Sequence, residues 1–222
     1  MPSPFDHTIT SEEQLAALYR KPSTIAAGKA CDHIDEQSQR FISASPFVVV
    51  STTNRQHSRG DVSPKGGPPG FVKVLDQKRL VIPDYNGNNR IDGIRNLLSD
   101  PSIGLLFLVP TNGESLRING QGYPTTDPQI LDMFTDEVRR PTSAIGVHVD
   151  EVMLHCAKAL RRARLWQPDS WSGGAPTAGE LLASHMSSLD MSPADIDDTL
   201  EASYQADLAA DAPEQAGAGG LS

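Results

Sequence analysis

Hydrophobic and polar positions along the chain switch between a helical spacing and a strict alternation. Apolar residues recur at helical intervals over residues 9–20, behind Thr10 or Ser11 as an N-cap, and this pattern predicts a first helix. The same spacing over residues 32–43 predicts a second helix, which Pro46 stops. The amino-terminal part of the chain is therefore expected to be helical.

Runs of β-branched and apolar residues, separated by polar turns, predict a series of short strands. The run FVVVSTT at residues 47–53 indicates a largely buried strand, and residues 103–109 indicate a central one. Residues 114–123 alternate apolar and polar, which is typical of a strand with one buried face. The predicted strands cover residues 47–53, 61–63, 70–75, 79–83, 103–109, 114–123 and 145–149.

Helical patterns between and after these strands are few and short. They predict helices over residues 89–99, over 127–136 behind Thr126 as a cap, and over 155–166. Six or seven short strands with so few helices favour a closed antiparallel barrel over an alternating parallel sheet. We therefore expect a mainly β (α+β) protein.

The composition changes after residue 172, where small residues form a linker. We expect a barrel domain over residues 1–172, which includes the N-terminal helices, and a C-terminal helical extension over 173–208. The extension is predicted to contain helices over residues 177–188 and 193–207. The Ala- and Gly-rich segment 209–222 is predicted to be disordered.

Charge and composition narrow the classes of function. The 222 residues carry a formal net charge of -9 and a pI of about 5.0, so neither nucleic acid nor an anionic membrane is an expected partner. No apolar run approaches the length of a membrane span. The two cysteines, Cys31 and Cys156, form no paired motif and fit a reducing compartment. With no basic and apolar signal segment at the start, we expect a cytoplasmic protein.

Two turns between residues 63 and 101 indicate an anion site on the β scaffold. The first is glycine-rich and supplies a hydroxyl and a lysine, and the second leads into a helix whose N–H groups and positive dipole end favour a phosphate. The alternative is a pair of ordinary turns with solvated charges. The candidate ligands in these turns are Ser63, Pro64, Lys65, Gly66, Asn88, Asn89 and Arg90.

The sequence supports a ligand-binding role less strongly for other polar residues. Arg95 lies five residues after Arg90, so a surface ion pair explains it as well as a phosphate contact does. Arg117 lies on the polar face of its strand and either reaches a ligand or faces solvent. The segment 148–156 contains histidine, carboxylate and cysteine side chains, but it spans a strand and its exit, so we expect no metal site there.

Six segments, taken in their order and spacing, resemble the pyridoxamine 5'-phosphate oxidase-like, FMN-binding split-barrel family, in particular a bacterial branch of it. They are SPFVVVSTT (45–53), DVSPKGGPPGFVKVLD (61–76), PDYNGNNRIDGIRNLLSDP (83–101), GLLFLVP (104–110), ESLRINGQG (114–122) and HCAKALRRARLW (155–166).

This resemblance implies a six-stranded split barrel that works as a homodimer, with FMN bound in two clefts at the subunit interface. It implies that Ser63, Lys65, Asn89 and Arg90 bind the FMN phosphate. Lys158 and Arg164 are further candidates, as a basic edge over the FMN cleft, although such a charge run is usually solvated.

The chain also departs from the true oxidase. It lacks the Arg-x-x-Val-Leu-Leu-Lys run, the Ser-Arg-Lys triplet and clear equivalents of the C-terminal substrate-binding pairs, unless the segment 164–166 does a related job. The resemblance therefore implies that this chain binds flavin, but it does not imply the vitamin B6 reaction.

We expect an FMN-dependent oxidoreductase that acts on an unidentified small molecule, with a reduced nicotinamide as a possible electron donor. No catalytic side chain is assignable. The alternatives are a non-catalytic flavin carrier or sensor, and a relative that binds deazaflavin or haem.

Overall fold

An antiparallel sheet of eight strands dominates the computed structural model, which describes residues 5–85, 87–135, 139–186, 188 and 190–211. The strands are β1 (Ala30–Cys31), β2 (Phe47–Asn54), β3 (Arg59–Gly66), β4 (Lys73–Asp76), β5 (Arg79–Asp84), β6 (Ser102–Leu108), β7 (Ser115–Thr125) and β8 (Ser143–His155).

The strand order is β3-β2-β6-β7-β8-β5-β4, and the short strand β1 pairs with β8. Lys65 of β3 nevertheless forms an ion pair with Asp84 of β5, five places along the sheet. The sheet must therefore curl until its two ends approach each other. Because no ladder among the described residues joins β3 to β4, the barrel is split rather than closed. The predicted mainly β (α+β) class is confirmed, with eight strands where six were expected.

The inner face of the curled sheet forms the hydrophobic core. Val48 and Val50 of β2 are 0% and 3% exposed, while Val49 between them is only partly buried. Phe107 of β6 and Ile118 of β7 are fully buried on the same side. This alternation is the two-residue period of a strand with one face in the core.

Strand β8 is much longer than the predicted strand 145–149, and it continues to His155. A bulge makes this possible: Asn119 pairs with Glu151 and Gly120 pairs with Val149, so Asp150 is the extra residue. The bulge breaks the alternation that the prediction relied on. The predicted helix 155–166 consequently begins three residues late.

Eight α-helices occur in the described part of the chain, and most confirm a predicted helix with shorter bounds. They are α1 (Glu12–Leu18), α2 (Thr24–Gly28), α3 (Glu36–Ala44), α4 (Asp92–Ser99), α5 (Pro128–Leu131), α6 (Lys158–Ala163), α7 (Ala178–His185) and α8 (Pro193–Ala210). Single turns of 3₁₀-helix follow at Asp132–Phe134 and Pro168–Ser170. None of these helices is long and apolar enough to cross a membrane.

Side-chain caps explain where several helices begin. Ser11 caps α1, as predicted, and Asp35 caps α3, so the helix expected from residue 32 starts four residues later. Asp127 rather than Thr126 caps α5, and the predicted end of that helix at Asp136 lies outside the described residues.

The C-terminal extension forms a packed pair of helices, α7 and α8, each of which begins with a capping box. The helices cross closely at Gly179, where a Cβ atom would lie 2.0 Å from the carbonyl oxygen of Pro193. Helix α8 continues to Ala210, so the segment predicted to be disordered begins inside it, and residues 212–222 lie outside the described residues.

Candidate functional site

The split in the barrel opens into a cleft of about 510 Å³. Strand β3, the end of β5, the turn after it and the first turn of α4 form its walls. Six predicted ligands line this cleft, namely Ser63, Pro64, Lys65, Gly66, Asn88 and Arg90. The two turns that the sequence singled out therefore meet at one place, although β3 and α4 are separated by two further strands in the chain.

Strand β3 presents its polar side chains to the cleft because of its alternation. Asp61, Ser63 and Lys65 are partly buried, whereas Val62 and Pro64 between them are exposed. A strand places every second side chain on the same face. Asp61 thus accompanies the two predicted ligands into the cleft.

Helix α4 begins at the cleft with its first N–H groups uncapped. Its N-cap is Ile91, and no side chain of the described residues makes a cap hydrogen bond there. Asn89 precedes it with a φ of 56°, and the Asn88 side chain accepts a hydrogen bond of 3.0 Å from the Arg90 N–H. A helix start with unsatisfied donors is an anion-binding feature.

Each cation of the cleft already has a carboxylate partner. Lys65 pairs with Asp84, and Arg90 pairs with Asp92 at 2.6 Å. Hydrogen bonding to Asp92 raises the pKa of Arg90, and Arg90 in turn lowers the pKa of Asp92. With Asp61 added, three carboxylates face two cations among the described lining residues. The cleft therefore carries no excess of positive charge, although the sequence predicts an anion site there.

The donor set fits the phosphate end of a flavin nucleotide on one condition. Lys65, Arg90, Ser63 and the uncapped α4 N–H groups supply donors for several phosphate oxygens. The bound phosphate must then replace carboxylates as the partner of Lys65 and Arg90. The volume of about 510 Å³ lies within the usual range of small-molecule sites.

Sequence patterns missed a buried polar group behind the cleft. Asn96 of α4 is 4% exposed, and its side-chain amide donates to Thr52 Oγ1 at 3.0 Å and to Asp61 Oδ2 at 3.3 Å. These bonds hold the Asp61 carboxylate close to the start of α4. The sequence gives only a weak indication that Asn96 is buried. It is a polar residue directly before Leu97 and Leu98, in a helix with an apolar face.

Arg95 lies outside the cleft lining and is largely exposed. Its guanidinium lies 4.0 Å from Asp92 Oδ1, which is the surface ion pair considered as its alternative role. Asn89 is also absent from the lining, although it belongs to the same turn as Asn88 and Arg90. Asn89 stays a prediction, whereas for Arg95 the geometry favours the surface ion pair over the phosphate contact.

Arg117 lies on the outer face of the sheet rather than in the cleft. It pairs with Glu151 of β8, to which Asn119 also donates at 3.2 Å. The Arg117 Nε atom is buried and has no hydrogen-bond partner among the described residues. A buried donor without a partner is costly, so this guanidinium is incompletely satisfied within one protomer.

Lys158 and Arg164 lie at the two ends of the short helix α6, away from the cleft. Arg164 lines a different pocket of about 280 Å³ together with Arg161 and Trp166. The Trp166 indole donates to the Asn112 carbonyl at 2.6 Å, which ties this segment to the turn between β6 and β7. Within one protomer, neither residue therefore lines the cleft over which they are predicted to form a basic edge.

His155 and Cys156 stand at the end of β8, and α6 begins two residues after Cys156. Burial, with the charges of Arg117 and Lys29, lowers the pKa of His155. The Lys158 backbone N–H, together with the charges of Lys158 and Lys29, lowers the pKa of Cys156. No group of three or more metal-ligand side chains occurs among the described residues.

Comparison with known proteins assigns the chain to a family. The family model "Pyridoxamine 5'-phosphate oxidase" matches residues 34–156, which is more than half of the chain. The chain belongs to this family. Membership supports a flavin-binding, oxidoreductase-like character in general terms, and members commonly function as dimers.

Several solved structures resemble part of the chain at low identity. HupZ from Group A Streptococcus is 16% identical, with 54% of this chain and 91% of that chain covered and a TM-score of 0.44. A Clostridium acetobutylicum protein related to general stress protein 26 is 12% identical, with 54% and 86% covered and a TM-score of 0.41. An F420 reductase is 13% identical, with 55% and 98% covered and a TM-score of 0.39. No curated protein sequence matches.

Proposed function

We propose that this protein is an FMN-dependent oxidoreductase acting on a small molecule, with the flavin bound at the interface of a homodimer. The observation that carries the proposal is the meeting of Ser63, Lys65 and Arg90 with the uncapped start of α4 at one cleft, in a chain of this family. An anion-binding helix start beside a lysine and an arginine suits a phosphate monoester.

Lys65 and Arg90 hold the phosphate in this account, and Ser63 adds a hydroxyl donor. Asn96 restrains Asp61, so that this carboxylate stays near Thr52. The flavin, when bound, supplies the hydride or electron chemistry. The residues of the chain bind and orient it, and no side chain is assigned a proton-transfer role.

The outer face of the sheet supports the homodimer. Val49, Leu106 and Met153 lie on that face, where Arg117 is the direct cross-strand neighbour of both Leu106 and Met153. These apolar side chains are only partly buried in one protomer, and Val62 nearby on β3 is 64% exposed. A second copy laid on this face would cover them and add partners for Arg117.

A non-catalytic flavin carrier or sensor is the second candidate. It is favoured by the positions of Arg117, Lys158 and Arg164, because none of these cations lines the described cleft. Among the described residues of one protomer, the cleft lining then has no cation beyond Lys65 and Arg90, which hold the phosphate, to stabilise a reduced anionic flavin.

The test is the absorption spectrum of the isolated protein, followed by anaerobic addition of a reduced nicotinamide. We expect a bound-flavin spectrum near 1 FMN per chain that bleaches with the nicotinamide and returns in air. Bound flavin that neither a nicotinamide nor an oxidisable amine bleaches would support the carrier. A deazaflavin or haem spectrum, or a colourless protein that does not bind added FMN, would contradict both candidate functions.

A further inference from the structure

A second cavity, which we term the C-terminal groove, opens between the α7–α8 pair and the turn at Gly87 and Asn88. Its volume is about 1080 Å³, roughly twice that of the cleft. Both residues of the turn also line the cleft. A ligand lying in the groove would therefore reach the mouth of the proposed flavin site.

The walls of the groove are mainly apolar. Leu181 and Leu182 of α7 face Leu200, Tyr204 and Leu208 of α8 across it. Leu181 is 45% exposed, Tyr204 is 51% exposed and Leu208 is 66% exposed. Large apolar side chains gathered in one exposed concavity are typical of a binding surface.

Hydrogen bonds and packing fix the α7–α8 pair that forms the groove. The Gly179 N–H donates to Asp197 Oδ1 at 2.7 Å, and Ile196 is buried where the two helices cross. The Arg139 N–H donates to the Asp211 carbonyl at 2.9 Å, which fastens the end of α8 to the segment before β8. The groove walls are thus held at both ends.

The carboxyl end of α8 gives the groove a negative end. Asp207 and Asp211 are both partly buried there, and Glu201 lines the same wall. Burial and the neighbouring Asp207 raise the pKa of Asp211, while the Arg139 charge opposes this shift. The last turn of α8 contains no basic residue, so the helix dipole adds to the negative charge. A cation at this end would relieve the repulsion.

We propose that the C-terminal groove binds an amine with an apolar body, whose ammonium group lies at Asp207 and Asp211. The apolar walls and the negative end together favour this chemistry over a neutral or acidic ligand. Binding of the amine is independent of the proposed function. A role of the bound amine as the substrate of the flavin rests on the proposed function.

The test uses three probes with the same apolar body: 4-phenylbutylamine, 4-phenylbutanol and 4-phenylbutyrate. Calorimetric titration of the full chain without flavin should show the amine binding at least tenfold more tightly than the butyrate, with the alcohol between them. Tyr204→Ala and Leu208→Ser should weaken the amine and the alcohol alike, by about fivefold or more. Asp207→Asn should weaken the amine and leave the alcohol unchanged.

Leu18→Ser is the matched control, because Leu18 is 66% exposed on α1, the same fraction as Leu208, and lies outside the groove lining. It should change the affinity for none of the three probes.

Equal binding of amine and butyrate, or binding that survives the groove variants, would overturn the proposal. So would a shift from dimer to monomer in sedimentation of Leu208→Ser, which would assign the groove to a second copy. FMN affinity should be the same in all variants. Amine binding without FMN binding would refute the proposed function alone.

Discussion

Lys65 and Asp84 form an ion pair across the split of the barrel, although their strands β3 and β5 stand five places apart in the sheet. The pair links the two sides of the cleft, and Asp84 neutralises the charge of the lysine that is proposed to bind phosphate. An incoming phosphate must therefore compete with Asp84 for the Lys65 ammonium group.

Asp84→Asn should tighten FMN binding, because the phosphate then meets Lys65 without a competing carboxylate and without its repulsion. We expect a gain of about 1 kcal/mol, roughly a fivefold lower Kd. Fluorescence quenching of FMN during titration measures it. The control is Asp76→Asn, which removes an exposed partner of Arg79 outside the cleft. Weaker binding in Asp84→Asn alone would show that the carboxylate helps hold the ligand.

The Ser63–Arg90 part of the site was predictable because its signals are local: glycine-rich turns, a lysine and a helix start occur within 28 residues of sequence. Asp84 lies within this segment and Asp92 follows it by two residues, yet their effect was not predicted. Sequence spacing does not report that Lys65 faces Asp84 across the split, since that contact depends on how far the whole sheet curls.

The barrel was predictable for a similar reason, since alternation marks each strand separately. The exception is β8, where Asp150 forms a bulge and shifts the polar positions out of register. Whether Arg117 lines a site depends on which face of the sheet forms that site, and whether Arg164 does depends on which end of α6 lies next to it. Local sequence spacing reports neither of these arrangements.

Gly120→Ala should strongly destabilise the fold. A Cβ atom at Gly120 would lie 2.0 Å from the His148 carbonyl oxygen, which no side-chain rotation relieves. We expect a loss of more than about 2 kcal/mol in the free energy of unfolding, measured by urea titration. Gly60→Ala in β3 is the control, because nothing lies within 4 Å of its Cβ, and it should stay within about 0.5 kcal/mol. Equal stability of the two variants would refute the close approach at the bulge.

Arg55 should stabilise the protein in a way that depends on pH. Its guanidinium, 2.8 Å from Asp100 Oδ2, and the Ser102 N–H lower the pKa of Asp100 from 3.8 to about 2. A carboxyl whose pKa is lowered in the folded state contributes stability above about pH 4, and this contribution is lost as the pH falls through about 2. The difference between wild type and Arg55→Ala in urea unfolding should therefore shrink between pH 4 and pH 2.

Arg40→Ala is the control for this pH dependence, since Arg40 donates to Gln37 rather than to a carboxylate. Its effect should not change over the same range. An Arg55→Ala effect that is constant from pH 7 to pH 2.5 would contradict the role of Asp100.

Cys156 should react with iodoacetamide several-fold faster than Cys31 at pH 7.5. Cys156 is exposed and its thiol pKa is lowered, chiefly by the Lys158 backbone N–H. Cys31 is partly buried, and its Sγ lies 3.2 Å from the His33 carbonyl oxygen. Mass spectrometry of timed samples separates the two sites. Lys158→Ala keeps the backbone N–H, so alkylation of Cys156 should slow only slightly in this variant. A fall of the Cys156 rate to that of Cys31 in Lys158→Ala would argue against the backbone N–H as the main cause.

The most direct test of the central claim is the FMN affinity of Lys65→Ala and Arg90→Ala, measured by fluorescence titration beside Arg95→Ala. Arg95 is an exposed arginine of the same helix start that lies outside the cleft lining, which makes it the matched control. Each lost charge-assisted bond should cost about 1.5–3 kcal/mol, so the two cleft variants should bind FMN roughly tenfold to a hundredfold more weakly while Arg95→Ala binds like wild type. Unchanged affinity in both cleft variants would contradict the placement of the flavin phosphate in this cleft.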